Sequence, residues 1–128
     1  MNAVRKPAVA GYFYPADPVL LRNELGQLLA AVPAKPDAPA PKALLVPHAG
    51  YVYSGPVAAS GYARLAAVAG SIRRVALLGP AHRVALRGLA LPAAESFASP
   101  LGEVALDRQA IEDIADLPQV VVSEAALA

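Results

Sequence analysis

Apolar residues along this chain follow two rhythms. Leu21, Leu25, Leu28, Leu29 and Val32 recur at helical spacing, behind an Asp17-Pro18 pair suited to a helix start. They predict an amphipathic helix from about 18 to 32. The proline-rich run "PAKPDAPAP", 33–41, ends it and reads as a surface connector. The second rhythm is a short continuous apolar run. "KALLVP", 42–47, and "RRVALLG", 73–79, each read as a buried strand.

Between these runs, Pro56 predicts the opening of a second helix through "VAASGYARLAAVAG", with Gly70 as its stop. "RGLALP", 87–92, predicts a third, more exposed strand. "PAAESF" reads as a loop, Pro100-Leu101-Gly102 as a turn into "EVALD", and Asp107 as the cap of a helix to about Asp116. "PQVVVSE" is a last strand. Continuous apolar strands alternating with helices predict an α/β fold with a parallel or mixed sheet covered on both faces. A chain of 128 residues is about one domain's worth.

Composition narrows the function classes. With 56% apolar residues the chain is folded, although much of that share is alanine. A net charge of +1 with scattered basic residues gives no electrostatic footprint for nucleic acid or an anionic membrane. No stretch has the uninterrupted apolar length of a membrane span, and the proline-broken N-terminus carries no signal-peptide pattern. The absence of cysteine excludes disulfides and thiolate ligands within these residues and suits a reducing compartment. A cytoplasmic protein is the expectation.

The chain has two histidines, and each follows one of the apolar runs: His48 in "PHAGYVYSGP" and His82 in "VALLGPAHR". In open α/β sheets ligands bind outside the carboxyl ends of strands, where both histidines are predicted to lie. The interval between them suits one strand–helix–strand crossover, so two imidazoles on neighbouring strands, about 4.8 Å apart, can converge on one ion. Read from the residues alone, a joint metal or catalytic role and two independent loop histidines stand level. A catalytic metal also needs a third ligand. Asp17 and Asp107 are better read as helix caps, and neither Glu95 nor Glu103 stands out.

The aromatic residues cluster in "GYFYP" and "YVY". They suit either a ligand-enclosing mouth or ordinary packing with one ring of each pair buried and the other wet. "SGP" ahead of the helix predicted from 56 could bind an anion at a helix N-terminus. The chain has no P-loop spacing and no nucleophile elbow at Ser54.

Four ordered blocks, "KPAVAGYFYPAD", "VPHAGYVYSGPVAA", "ALLGPAHR" and "FASPLGEVALD", resemble blocks of the Memo family, also called AmmeMemoRadiSam system protein B. The resemblance implies the α/β sandwich of the class III extradiol dioxygenases, with a metal site at one end of its sheet. It implies His48 and His82 as the first two metal ligands, and Phe13 and Tyr53 as part of an aromatic vestibule. Ala81 stands where the family often carries serine.

Family members are about twice this length, and their remaining pocket histidines, an aspartate and a cysteine belong to the part that would follow Ala128. One Memo-like domain, 1–128, incomplete at its C-terminus, is therefore expected. The functional expectation is a non-heme iron protein, with copper second, of redox or dioxygenase-like character, whether or not it turns over a substrate. The alternative is a non-catalytic module that binds a peptide or anion in the same vestibule. The family's other name implies a link with a radical-SAM protein and an AMME-domain protein.

Overall fold

The structure, a computed structural model, describes residues 3–35, 37–123 and 125–127. Pro36 of the predicted connector and Glu124 of the predicted last strand segment lie outside the described residues. The elements are mixed α/β, in the order β1 (Val4–Arg5), α1 (Pro18–Ala30), α2 (Tyr51–Tyr62), β2 (Leu89–Leu91), β3 (Ser96–Ser99), β4 (Gly102–Ala105), α3 (Arg108–Ala115) and β5 (Val120–Val122). Short 3-10 turns cover Ala63–Leu65, Ala69–Ser71 and Ala125–Leu127. The chain divides into two compact units, Val9–Arg73 and the remainder.

The Val9–Arg73 unit is helical. Asp17 caps α1, its carboxylate accepting the Val19 and Leu20 backbone N–H groups at 2.9 Å each, and Pro18 sits at the first helical position. Leu21 is the buried anchor of this helix, at 3% exposure. Leu28 packs against α2 at Gly55, where an added Cβ would lie 3.0 Å from Leu28 Cδ1. The connector is tied back by Arg64, whose Nη2 donates to the Pro39 carbonyl at 3.1 Å.

Helix α2 corrects the reading that Pro56 opens it. It starts five residues earlier, at Tyr51, with Gly50 as N-cap and Pro56 inside. The proline removes one helical hydrogen bond, the one its N–H would have made to Val52, and Val52 is exposed, so water can satisfy that carbonyl. Nor does the helix run to Gly70. It ends at Tyr62 and gives way to 3-10 turns, one of which contains Gly70. Gly61, a poor helix former, stands one residue before that end, and Val46 Cγ1 fills the place of its missing side chain.

The second unit holds the strands. β3 runs parallel to β1 and antiparallel to β4, giving a mixed three-stranded sheet in the order β1-β3-β4. β2 and β5 form a separate parallel pair, in register Leu89↔Val120 to Leu91↔Val122. β3 lies in the "PAAESF" region predicted as loop; pairing on both of its edges makes it a strand. Asp107 caps α3 as predicted, accepting the Ala110 N–H at 3.0 Å, and α3 packs on β5. Arg5 lies over the Phe97 ring, 5.1 Å from its centroid, and donates to the Leu127 carbonyl.

The two predicted histidine-bearing strands are not strands. Among the described residues neither 42–47 nor 73–79 carries a ladder. Leu45 is 102% exposed, with Leu44 and Val46 half-buried on either side, and every residue from 71 to 80 is exposed. The physical reason is that an apolar run becomes a strand only when a neighbour supplies hydrogen bonds, and none of the described residues does so here.

Candidate functional site

The His48 loop is built by the start of α2. The buried Ser54 hydroxyl, one turn into that helix, donates to the Ala49 carbonyl at 2.7 Å and lies 3.3 Å from the Gly50 carbonyl. The Ser54 and Tyr53 backbone N–H groups both return to Gly50 O, at 3.0 and 2.9 Å. The two residues after His48 are thus clasped to the helix, while His48 itself is exposed. "SGP" is interior to α2, so the anion reading at a helix start there fails: the free N-terminal N–H groups belong to the turn beginning at Tyr51, and Ser54 is spent on Ala49.

A second loop meets the first. Gly11, at φ +83°, makes the tight turn that lets its N–H reach Tyr14 O at 2.8 Å. Phe13 N–H bonds back to Val9 O at 2.9 Å, which leaves the Phe13 carbonyl to accept the Tyr51 N–H at 2.8 Å. That last bond satisfies one of the orphan donors at the α2 N-terminus. It also brings Phe13 to the helix that begins three residues beyond His48 and carries Tyr53. Gly50 suits this approach, since a Cβ there would lie 3.5 Å from both Phe13 Cα and its carbonyl oxygen.

The aromatic residues divide by depth. Tyr14 and Tyr51 are half-buried, with ring centroids 5.6 Å apart and tilted by 39°, whereas Tyr12, Phe13 and Tyr53 are exposed. Burial raises the Tyr51 pKa above the ordinary tyrosine value, helped by the neighbouring Tyr14, Glu24 and Tyr62. Sequence reasoning singled out Phe13 and Tyr53 but missed the organising roles of Tyr51 and Ser54. The sequence signal for both was the offset of "YVYS" from the glycine before it, which places them on the first turn of α2.

His82 belongs to the other unit. It is exposed, and it follows the exposed run through Pro80. The beginning of that run is fixed by Arg74, whose Nε pairs with Asp107 Oδ2 at 2.6 Å. The carboxylates considered as a third ligand are largely committed elsewhere. Asp17 and Asp107 cap helices, and Glu103 accepts from the Ser96 hydroxyl at 3.1 Å. Glu95 is exposed on the segment leading into β3. Among the described residues no three His, Cys, Asp or Glu side chains gather as a metal-holding group. The donors that the described residues bring together therefore fall short of a complete ligand set.

Two clefts of about 370 and 450 Å³ lie in the helical unit. The first is lined by Glu24, Gln27, Leu28, Val32 and Pro56, the second by Leu29, Tyr62, Leu65 and Ile72. Neither is lined by His48, Phe13 or Tyr53.

These features define an α/β protein with two exposed imidazole-bearing loops, one of them braced by an aromatic pair and a buried serine. Its family follows from comparison: residues 5–127 match the Memo-like protein family, and the chain belongs to it. It is 35% identical over 121 residues to a MEMO1 family protein of Methanocaldococcus jannaschii, covering 89% of this chain and 42% of that one. It is 39% identical over 128 residues to one of Sulfolobus acidocaldarius, covering 92% and 45%. A MEMO1 family protein of Pyrobaculum arsenaticum is 51% identical over 73 residues, 49% of this chain and 25% of its own length. The chain spans less than half the length of these relatives.

Proposed function

We propose that this chain carries two ligands of a Memo-type metal site. In this reading His48 and His82 each offer an imidazole to one ion, iron in preference to copper, and the remaining ligands come from Memo-family sequence outside the chain. Bound iron(II) with two imidazoles and a further oxygen or thiolate ligand would supply open positions for oxygen or redox chemistry. The links to a radical-SAM protein and an AMME-domain protein, a small-molecule or peptide ligand, and a cytoplasmic setting belong to the same proposal. No helix among the described residues is long and apolar enough to cross a membrane.

The observation that carries the reading is the construction of the His48 loop. A buried serine and a cross-loop bond hold the backbone that immediately follows an exposed imidazole, in a chain that belongs to the Memo-like family. Positioning of this kind is what a ligand loop requires. The test is ferrous and cupric ion titration of the chain beside His48→Ala and His82→Ala. Each substitution is expected to weaken binding at least tenfold. Equal binding by all three proteins would overturn the ligand assignment.

A second reading, a module that binds peptide or anion without turnover, rests on the exposed Tyr12, Phe13 and Tyr53 near the same loop. It predicts ligand binding that survives both histidine substitutions and is lost with Phe13→Ala and Tyr53→Ala together.

A further inference from the structure

The helical unit holds a cleft that neither histidine lines, so what it binds is a question separate from the metal reading. The cleft of about 370 Å³ is bounded by Glu24, Gln27, Leu28, Ala31, Val32 and Pro56. Glu24, Gln27, Leu28 and Ala31 stand at i, i+3, i+4 and i+7, a single stripe of α1 that runs onto its C-cap. Pro56 of α2 forms the opposite wall, beside Gly55, against which Leu28 is seated. The stripe from Glu24 to Ala31 is about 10 Å long.

The cleft is polar at one end and aliphatic at the other. Glu24 is half-buried and lies toward α2: after burial and Tyr14, its charge is the next cause of the raised Tyr51 pKa. Among the described residues neither the Glu24 carboxylate nor the Gln27 amide has a hydrogen-bond or ion-pair partner. A carboxylate partly withdrawn from water and lacking a counter-charge attracts a cation more strongly than one in open solvent. The helix adds to that field, because its C-terminal end is the negative pole and no basic residue stands in its last turn. Beyond Glu24 and Gln27, the side chains of Leu28, Ala31, Val32 and Pro56 offer only carbon.

We infer that this cleft binds a small organic cation, an ammonium or guanidinium group on an aliphatic chain. The Glu24 carboxylate and the Gln27 amide oxygen accept from the cationic head, and the chain lies over Leu28, Val32 and Pro56. Charge and chemistry select this class. An anion would meet Glu24 and the negative end of α1. A metal ion would find one carboxylate, since no three ligating side chains gather among the described residues. A wholly apolar molecule would bury Glu24 without pairing it. The volume lies at the small end of the range for ligand clefts, which suits a short alkyl chain.

The test is calorimetric titration of the chain at neutral pH and fixed ionic strength with n-hexylammonium and n-hexylguanidinium. Hexanol and hexanoate serve as probes of equal length. Both cations are expected to saturate one site with a dissociation constant of about 1 mM, and the alcohol and the acid to bind at least fivefold more weakly. Each methylene removed from the ammonium should weaken binding about two- to fourfold. Glu24→Gln is expected to weaken both cations at least fivefold, and Ala31→Phe, which fills the cleft, to abolish binding. Amide exchange in α1 checks that both variants fold. Glu112→Gln, on α3 in the other unit, should leave binding unchanged.

Equal binding of cation, alcohol and acid would overturn the inference. So would binding that survives Ala31→Phe, or that falls as far with Glu112→Gln as with Glu24→Gln. If Ala31→Phe fails to fold, Glu24→Gln and the chain-length series decide. Nα-acetyllysine methylamide beside n-butylammonium identifies the source of the cation: equal affinity assigns a protein side chain, and at least fivefold weaker binding a free amine. Cation binding retained in His48→Ala and His82→Ala separates this result from the fate of the metal reading.

Discussion

The two histidine loops start from the same sequence device and end in different states. Each has an apolar run, a proline and then a histidine, yet the His48 loop is braced and the run before His82 is bare. What differs is the chain that follows. Three residues after His48 a helix begins, and its first turn returns Ser54, Tyr53 and Tyr51 to the loop and its neighbour. After His82 no helix or strand begins among the described residues until β2 at Leu89, and the exposed run before it starts at Arg74, which pairs with Asp107. A ligand loop is therefore organised by the element it enters, whose free N–H groups and first-turn side chains lie within reach of the loop backbone. The run it leaves gives order only when a sheet exists to receive it.

The largest effect expected from breaking this contrast lies just ahead of β2. Gly88 has φ +92°, and a Cβ there would overlap the Gln119 carbonyl, the group that accepts the Leu89 N–H at 2.8 Å. Backbone cannot step aside as a side chain can. Gly88→Ala is expected to cost about 3 kcal/mol, combining a strained φ with displacement of the β2–β5 pair. Gly102→Ala is the comparison: φ is +127° but the space is open, so only the conformational cost of about 1–2 kcal/mol applies. Urea melts of both variants check this. Equal losses would mean that the Gln119 contact does not set the register of the pair.

On the braced side, Ser54→Ala removes a hydroxyl that is only 5% exposed and leaves the Ala49 carbonyl without this donor. The expected cost is about 1–2 kcal/mol. The loss should be accompanied by faster amide exchange through residues 48–51 and no change in β2 or β5. If exchange in the His48 loop stays as it was, the serine packs the helix without bracing the loop, and the contrast with His82 narrows.

How much of this was legible beforehand depends on whether the cause was local. Asp17-Pro18 and Asp107 carry their own capping chemistry, so α1 and α3 start where the sequence places them. β2 and β5 likewise fall within predicted strands. The start of α2 was misplaced because Gly50 caps without a side chain and the deciding bond, Tyr51 N–H to Phe13 O, spans 38 positions. β3 was hidden in "PAAESF" because its pairing comes from β1 and β4 on either side. The apolar runs at 42–47 and 73–79 show the converse. Their pattern reports what a sheet would accept, but a ladder needs a second chain segment that no local pattern can guarantee. The exposed positions of His48, His82, Phe13 and Tyr53 are consistent with access to a ligand, and their joint role remains the proposal above.

The smallest predicted effect separates packing from bracing within the helical unit. Tyr51 sits at the first position of α2 with its ring against Tyr14, and burial is the main reason its pKa is raised. A phenol whose pKa is higher folded than unfolded holds its proton more tightly in the folded state. Its contribution to stability is complete below the ordinary tyrosine value near 10 and is lost as pH rises through the folded value. Tyr51→Phe keeps the ring and removes the proton, so its stability should decline less steeply above about pH 10. Near neutral pH the two proteins should melt alike, because no hydrogen bond from the Tyr51 hydroxyl is needed to explain its position: the backbone N–H to Phe13 and the ring contact hold it. Parallel stability curves across the alkaline range would show that the phenol is wet in solution and that the bond to Phe13, rather than aromatic packing, keeps the two loops together.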